Sequence, residues 1–334
     1  MSITIKDVAK MAGVSISTVS RVINNSKPVS EDIRDRVLEI IKETNYVPNP
    51  VARSLVLKKS NFIGVIVPDI SDYKMGEILN GIEEVGKLYD YDILLCNSYG
   101  EFEEEKRYID LLRNKQVAGI IFISWNMTQE SVDLIQASNI PAIYISKNAK
   151  TFDIPSVGVD HYVAGEDVAK YLIEKNFKSV CVVEARIKDT AKDSEIVVGF
   201  EKTFKKGKNK MKKMEVIFSK DKISAVYKKV SDFIEKEKNL PEVFFATSDD
   251  VAAAVVNALL DKGIKVPEEV SVMGYDDSKI ACIVRPQLTT IQQPLYDIGA
   301  MAIGVLIKRI DGEENVVEAK VLPHSIVERQ SVKQ

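Results

Sequence analysis

Two histidines, one tryptophan and three cysteines in 334 residues leave little material for several kinds of chemistry. Cys96, Cys181 and Cys282 lie far apart with no C-x-x-C spacing, each in an apolar run, so they read as buried reduced thiols and not as a disulfide framework or a zinc site. His161 and His324 stand alone. Without an H-E-x-x-H, a G-x-S-x-G or a P-loop, no catalytic constellation assembles, and neither enzyme activity, a cofactor nor a metal is expected. The carboxylate-rich runs IEEVG and EFEEEKR read as solvated helix faces. No apolar run approaches ~18 residues. The first thirty residues lack an apolar h-region, so neither a membrane span nor a signal peptide is expected and the cytoplasm is the default. A basic excess is missing too: the formal net charge is -3, which argues against nucleic acid as long as the charge is spread evenly.

It is not. Residues 1–60 hold ten Lys or Arg against six Asp or Glu, net +4, while the rest holds 36 against 43, net -7. This asymmetry points to an anion-binding module on an acidic body. The length exceeds what one hydrophobic core serves, so two or more domains are expected. With 45% hydrophobic and 28% charged residues the chain is ordinary globular material.

In TIKDVAKMAG, Thr4 and Asp7 have the capping-box spacing. Ile5, Val8, Ala9 and Ala12 follow at helical intervals, and Gly13 stops the helix. A second short helix begins after Ser15 and turns Val19, Val22 and Ile23 inward, leaving Ile16, Ser17, Thr18, Ser20 and Arg21 available on its N-terminal half. Two short helices around the turn GVS are the sequence form of a helix-turn-helix. A third helix from Ser30 puts Ile33, Val37, Ile40 and Ile41 on one face and closes a three-helix core. Arginine makes bidentate contacts to guanine, and short hydroxyls adapt to base edges or phosphates, so the exposed set suits DNA. The competing reading is an αα-hairpin packed on another domain, its hydroxyls present for capping.

The stretch YVPNPVARSLVLKKS, residues 46–60, bears on that choice. Asn49 can cap, Pro50 fits the first helical position, and about seven helix-compatible residues lead to Leu55. A helix that short is not stable alone in water and orders only against a partner.

With TIKDVAKMAGVSISTVSRVIN, NYVPNPVARSL and IGVIVPDIS in this order and spacing, the chain resembles the LacI/GalR family of bacterial transcription regulators over essentially its whole length. The resemblance implies that the helix after Ser15 enters the major groove, with Ile16, Ser17, Thr18 and Arg21 at the contact positions. It implies a hinge helix whose Asn49, Ala52, Arg53 and Leu55 reach the minor groove, Leu55 acting as an apolar wedge, with Lys58 and Lys59 as phosphate neighbours. A wedge costs unstacking energy and gains a kink that admits further contacts. The implied assembly is a homodimer on a pseudo-palindromic operator. The C-terminal HSIVERQSVKQ carries no heptad segment, which favours a dimer over a tetramer.

The body alternates β-rich runs with helical patterns: FIGVIVPDI, YDILLCNS, VAGIIFIS, PAIYIS, SVCVVE, MEVIFS, VFFATS and VSVMGYDD. Continuous apolar strands separated by amphipathic helices indicate buried parallel sheets. Their number calls for two α/β lobes with a ligand crevice between them. The resemblance implies a periplasmic-binding-protein-like core that crosses near residue 160 and returns near 291. The expected division is a helix-turn-helix domain at 1–47, a hinge helix and linker at 48–60, a first lobe at 61–160 and 292–318, and a second lobe at 161–291 and 319–334.

The expected crevice residues are Asp72, Tyr73, Ile196, Ser248 and Asp276. Asp276 keeps a carboxylate where sugar-sensing relatives hold a hydroxyl-binding Asp. Ile196 stands where those relatives carry a ligand-gripping Arg, Ser248 replaces a frequent Asn, and Asp72, Tyr73, Lys74 and Met75 remove an aromatic wall. A polar ligand loses its clamp there, so a sugar or sugar phosphate effector becomes the alternative reading. VRPQLTTIQQPLYDIGAMA, residues 284–302, and PHSIVER resemble the catabolite control branch of the family, which is activated by the serine-phosphorylated form of HPr. The resemblance implies carbon catabolite control, repressing or activating, and a corepressor surface at Asp69, Ile70, Tyr296, Asp297 and Lys308. Lys308 suits a phosphoserine, while Gly304 stands where that branch carries a second cation.

FEKTFKKGKNKMKK, residues 200–213, has no aromatic interleaving and reads as solvated charge. A solute-binding protein without a regulatory role would explain the lobes but give residues 1–60 no purpose. A non-specific architectural protein would explain only those residues, and an enzyme would keep its turnover without them.

Overall fold

Thr4 opens the first helix through its neighbour Asp7: the Thr4 backbone N–H and hydroxyl donate to Asp7 Oδ2 at 2.9 and 2.7 Å. These bonds hold the Asp7 carboxyl below its usual range. Helix α1 (Ile5–Ala12) ends at Gly13, whose φ of 66° is a left-handed conformation that only glycine adopts without cost. After the turn come α2 (Ile16–Asn24) and α3 (Glu31–Thr44). Val8, Ala9, Ala12, Val19, Val22 and Val37 form the buried core, with Ile5, Ile23, Ile33, Ile40 and Ile41 packed around it. The periodic apolar positions of the sequence are the ones that meet.

The computed structural model describes residues 3–24, 27–44, 46, 60–124, 127–146, 154–187, 194–206, 209–218, 222–313 and 319–334. It divides into two units, Met1–Ser60 and Asn61–Gln334. The expected hinge residues Asn49, Ala52, Arg53 and Leu55 lie outside the described residues.

The second unit begins with β1 (Phe62–Val67), α4 (Tyr73–Leu88), β2 (Asp92–Asn97), α5 (Phe102–Asn114), β3 (Gly119–Phe122), α6 (Gln129–Ala137), β4 (Ala142–Ile145) and β5 (Ser156–Val159). It continues through α7 (His161–Glu174), β6 (Ser179–Ile187), α8 (Glu195–Lys206), β7 (Lys210–Phe218), α9 (Lys222–Lys236), β8 (Val243–Ala246), α10 (Asp249–Asp261), β9 (Ser271–Met273) and α11 (Lys279–Ile283). Then follow β10 (Thr290–Gln292), α12 (Leu295–Ile310), β11 (Ala319–Leu322) and β12 (Ser325–Val327).

Two parallel sheets result, one in the order β11-β5-β4-β3-β1-β2 and the other β7-β6-β8-β9, with β10 and β12 as a separate antiparallel pair. The central strands β1, β3, β4 and β8 are buried along nearly their whole length, which is why they read as continuous apolar runs. Helices cover both faces of each sheet and bury separate cores on either side.

The chain crosses between lobes after β5, again between β10 and α12, and a third time between β11 and β12. The last crossing corrects the expected division. Residues 319–322, placed in advance with the second lobe, form β11 and pair with β5 in the first sheet, Ala319 opposite Ser156 and Leu322 opposite Val159. As an edge strand β11 is half exposed and carries Lys320, so AKVL lacks the continuous apolar signature of the central strands.

Close helix contact anchors each lobe. A Cβ on Gly81 would come within 2.1 Å of the Tyr296 carbonyl oxygen, and one on Gly299 within 2.0 Å of that of Ile78, so α4 and α12 touch backbone to backbone. Gly165 and Gly199 let α7 and α8 do the same in the second lobe.

The second lobe also buries a carboxylate at its centre. Asp249 is 1% exposed. It accepts hydrogen bonds from the Thr290 hydroxyl and the Ser278 backbone N–H, both at 2.6 Å, and so ties α10 to the start of α11 and to β10. Burial raises its pKa to about 6 in spite of these donors. The folded chain therefore keeps a proton there that the unfolded chain, at ~3.9, has already released, so this group lowers stability as pH rises from ~4 to ~6. Asn at this position holds Ser278 with its oxygen, while the Thr290 hydroxyl rotates to accept from its amide. Asp249→Asn should remove on the order of 2–3 kcal/mol of the stability lost across that window. Denaturant melts at pH 4 and pH 7 would measure this, and an unchanged pH difference would contradict the assignment.

Candidate nucleic-acid interface and interlobe crevice

On α2 the sequence splits cleanly by face. Val19 and Val22 turn into the core at 0% and 7% exposure. Ile16 is 44% exposed, Ser17 and Arg21 are exposed, and Thr18 is half-buried. Ser15 organises this end. Its hydroxyl accepts from the Thr18 backbone N–H at 3.1 Å and shares hydrogen bonds with Ser17 Oγ at 2.7 Å and Thr18 Oγ1 at 2.8 Å. The three hydroxyls therefore hold one another at the start of α2 while each keeps lone pairs for a further partner. Arg36 on α3 donates to the Ala12 carbonyl at 3.4 Å, bracing the end of α1 beside the turn. An exposed isoleucine, two hydroxyls and an arginine on one solvent-facing helix end make a surface suited to base edges and phosphates.

The crevice residues assemble only in part. Asp72 caps α4, accepting from the Lys74 backbone N–H at 3.0 Å. The Tyr73 hydroxyl donates to Glu77 at 2.9 Å, and burial followed by that hydrogen bond pushes its pKa to about 12. Asp276 follows β9 in the second lobe, 4% exposed and at φ 114°, a strained conformation for a residue with a side chain. Its backbone N–H donates to Ile291 at 2.8 Å, and Gln293 Nε2 donates to its Oδ1 at 2.7 Å. Ser248 donates its hydroxyl to Asp250 at the start of α10. Ile196 does not join them: at 5% exposure it is part of the second-lobe core with Val168, Phe200 and Val197. An apolar side chain at that position is drawn into the core by its burial preference.

Lys74, absent from the expected site, is central to it. Its ammonium lies 3.4 Å from Asp276 Oδ2 and 3.8 Å from Asp72 Oδ2, joining the first lobe to the second. Burial alone would lower its pKa, but the carboxylates of Asp276, Asp72 and Asp250 outweigh it and hold the group firmly protonated. Burial raises Asp276 to about 7 against the pull of Lys74. A second contact spans the lobes beside it, with Lys279 Nζ 5.5 Å from the centroid of the Tyr73 ring. The sequence marked Lys74 only as a lost aromatic, because its partner lies on a distant strand end.

The expected corepressor residues sit on or beside α12 and the end of β1. Ile70 is 55% exposed, and Asp69 accepts from the Ser71 N–H at 2.8 Å and hydroxyl at 2.7 Å. Tyr296 is 39% exposed and donates to Glu84 at 2.6 Å. Asp297 lines a groove with Ala300, Met301 and the β11 residues Lys320, Val321 and Leu322. Lys308 meets Glu313 only at 3.9 Å and is largely exposed. A Cβ at Gly304 would meet nothing within 4 Å. In the Lys-rich run, Lys205, Lys212 and Lys213 pair with Glu201, Glu237 and Glu215.

Among the described residues no group of three His, Cys, Asp or Glu side chains could hold a metal ion, and no helix is long and apolar enough to cross a membrane.

Residues 4–49 match the family model of bacterial regulatory proteins of the lacI family, and residues 169–332 match a periplasmic binding protein-like domain. The transcriptional regulator RegA of Clostridium saccharobutylicum is 37% identical over 331 residues, covering 99% of both chains. Catabolite control protein A is 36% identical in Staphylococcus aureus and 34% in Priestia megaterium, covering 100% of each chain. Among solved structures, the lac repressor dimer bound to operator and the anti-inducer ONPF aligns with a TM-score of 0.88 at 24% identity over 99% of both chains. CcpA of Lactococcus lactis aligns with a TM-score of 0.72 at 26% identity, covering 81% of this chain and 99% of that one. With the helix-turn-helix unit and the two parallel-sheet lobes both accounted for, the chain belongs to the LacI family of bacterial regulatory proteins and is a DNA-binding transcription regulator, similar to catabolite control protein A and not an enzyme.

Proposed function

We propose that two copies of this chain bind a pseudo-palindromic operator, each inserting α2 into a major groove with Ile16, Ser17, Thr18 and Arg21 against the bases. The observation that carries this reading is the division of α2 into a buried valine face and an exposed face of isoleucine, hydroxyls and arginine. The net charge of +4 over residues 1–60 supplies the phosphate attraction that the acidic remainder lacks. Asn49, Ala52, Arg53 and Leu55 serve as the minor-groove segment, with Leu55 as the wedge. Leu88, Leu95 and Ile283, exposed by 81, 46 and 73%, offer apolar surface for a second copy to cover. The lac repressor whose structure aligns best with this chain among those above is itself a dimer on operator.

For control, the reading favoured is carbon catabolite control with serine-phosphorylated HPr as corepressor, held at Asp69, Ile70, Tyr296, Asp297 and Lys308. Catabolite control protein A is the name of several relatives similar over their whole length. Lys308, largely exposed and only loosely paired, keeps its charge available to a phosphoserine. A small-molecule effector, such as a sugar phosphate, is the second reading. It is disfavoured because Lys74 and Gln293 already engage Asp276, the carboxylate such a ligand would need.

Three changes test these assignments. Arg21→Ala should lose about 1–3 kcal/mol of discrimination at one base pair per half-site in operator titrations at fixed salt, with scrambled sites affected far less. Leu55→Ala should abolish DNA bending while weak binding remains, as read by the gel mobility of bent probes. A Cβ at Gly304 meets nothing within 4 Å, and Gly304→Arg removes a helix-interior glycine that costs about 0.5–1 kcal/mol relative to Ala. It should tighten binding of phosphorylated HPr by about 10-fold, the effect of one added charge-assisted hydrogen bond. Equal affinity of wild type and Gly304→Arg for phosphorylated and unphosphorylated HPr would remove the corepressor assignment.

A further inference from the structure

We propose that the interlobe crevice is a primary-ammonium site filled by the chain's own Lys74, which acts as a built-in ligand and draws the two lobes together without a small molecule.

The charges around the crevice single out this pair. Asp250 has Lys222 at 2.5 Å, Asp277 has Arg329 at 2.6 Å, and Asp249 is satisfied by Thr290 and the Ser278 N–H. Asp276 has Gln293 on Oδ1, and its Oδ2 faces Lys74 from the opposite lobe. A carboxylate only 4% exposed needs a proton or a cation, and the cation present is the lysine.

The position of Lys74 argues in the same direction. It lies in the first turn of α4, which carries no acidic residue, and the helix dipole disfavours a cation there. The side chain stays in place because Asp72 and Asp276 lie on either side of it. The Lys279–Tyr73 contact repeats the arrangement in reverse, with the cation on the second lobe and the ring on the first. Asp276 itself is held in a left-handed backbone conformation by its bridge to Gln292, next to the strand that leads into the crossing to α12. The ion pair therefore bears on the segment that connects the two lobes between β10 and α12.

An ammonium on four methylenes is a compact point charge with three donors. A small alkylammonium of the same shape should fit the site once the side chain is removed, and a neutral alcohol should not.

The test uses the full chain, without DNA, as wild type, Lys74→Ala and Lys74→Met. Amide hydrogen exchange should speed up in Lys74→Ala both at 69–79 and at 274–283, and the thermal midpoint should fall by roughly 2–6 °C. Millimolar propylammonium chloride should restore both quantities in Lys74→Ala, whereas potassium chloride of equal ionic strength and 1-propanol should not. Lys74→Met keeps the methylenes without the charge, and it should show the same faster exchange without rescue. Faster exchange confined to residues 72–77, equal rescue by potassium and propylammonium, or wild-type behaviour of Lys74→Met would each overturn the proposal.

Discussion

A carboxylate removed from water must find donors, a cation or a proton, and the second lobe is arranged around that demand. Asp249 meets it with a threonine hydroxyl and a backbone N–H, which fastens α10 to the segments before α11 and at β10. Asp276 meets it with an amide from the crossing segment and an ammonium from the other lobe. One buried acid thus ties three segments within a lobe, and the other makes the stability of one lobe depend on the placement of its neighbour. Both have pKa values raised by burial, so both are poised well above the ordinary carboxylate range.

That arrangement shapes how such a regulator can respond. Coupling between distant sites requires an element with two states that each partner biases differently. The lobes supply it: each has its own close-packed helix pair, α4 with α12 and α7 with α8, rigid enough to move as a body. Three chain crossings and a few side-chain contacts connect them. A protein bound on α4 and α12 would act on the same helix whose first turn carries Lys74, so surface and crevice share one mechanical element. Among the described residues of the N-terminal unit, six apolar side chains, three of them on α1, form its buried core. That core takes up Val19, Val22 and Ile23 of α2 and leaves Ile16, Ser17 and Arg21 exposed.

Much of the architecture could be read before any coordinates. Eight apolar runs of the body coincide with β1, β2, β3, β4, β6, β7, β8 and β9; for the central strands β1, β3, β4 and β8 the reason is that a strand buried on both faces has no polar alternation to obscure it. The helix-turn-helix was equally plain, since Thr4, Asp7 and Gly13 mark the ends of α1 by local rules that need no tertiary context. Strands β5, β10, β11 and β12 escaped: SVGV in β5 and AKVL in β11 hold no continuous apolar run, and β10 and β12 pair only with one another, so the pairing partner and not the sequence decides their conformation. The α2 contact residues came from periodicity joined to resemblance, whereas the crevice was only half legible. Asp276 was found by its likeness to a sugar-binding position, and Ile196 was placed in the crevice by the same likeness although its side chain belongs to the core.

By itself the sequence determined the periodic, local features: helix ends, the inward face of each helix, the parallel-strand segments and the separation of basic and acidic regions. Each rests on interactions between residues a few positions apart or on the burial preference of single side chains. Only the tertiary structure decided that Lys74 meets Asp276, that residues 319–322 complete the first sheet, and that Gly304 faces open space. Those facts depend on which distant segments the crossings bring together, and a pair potential between far-separated residues leaves no periodic trace in a single chain.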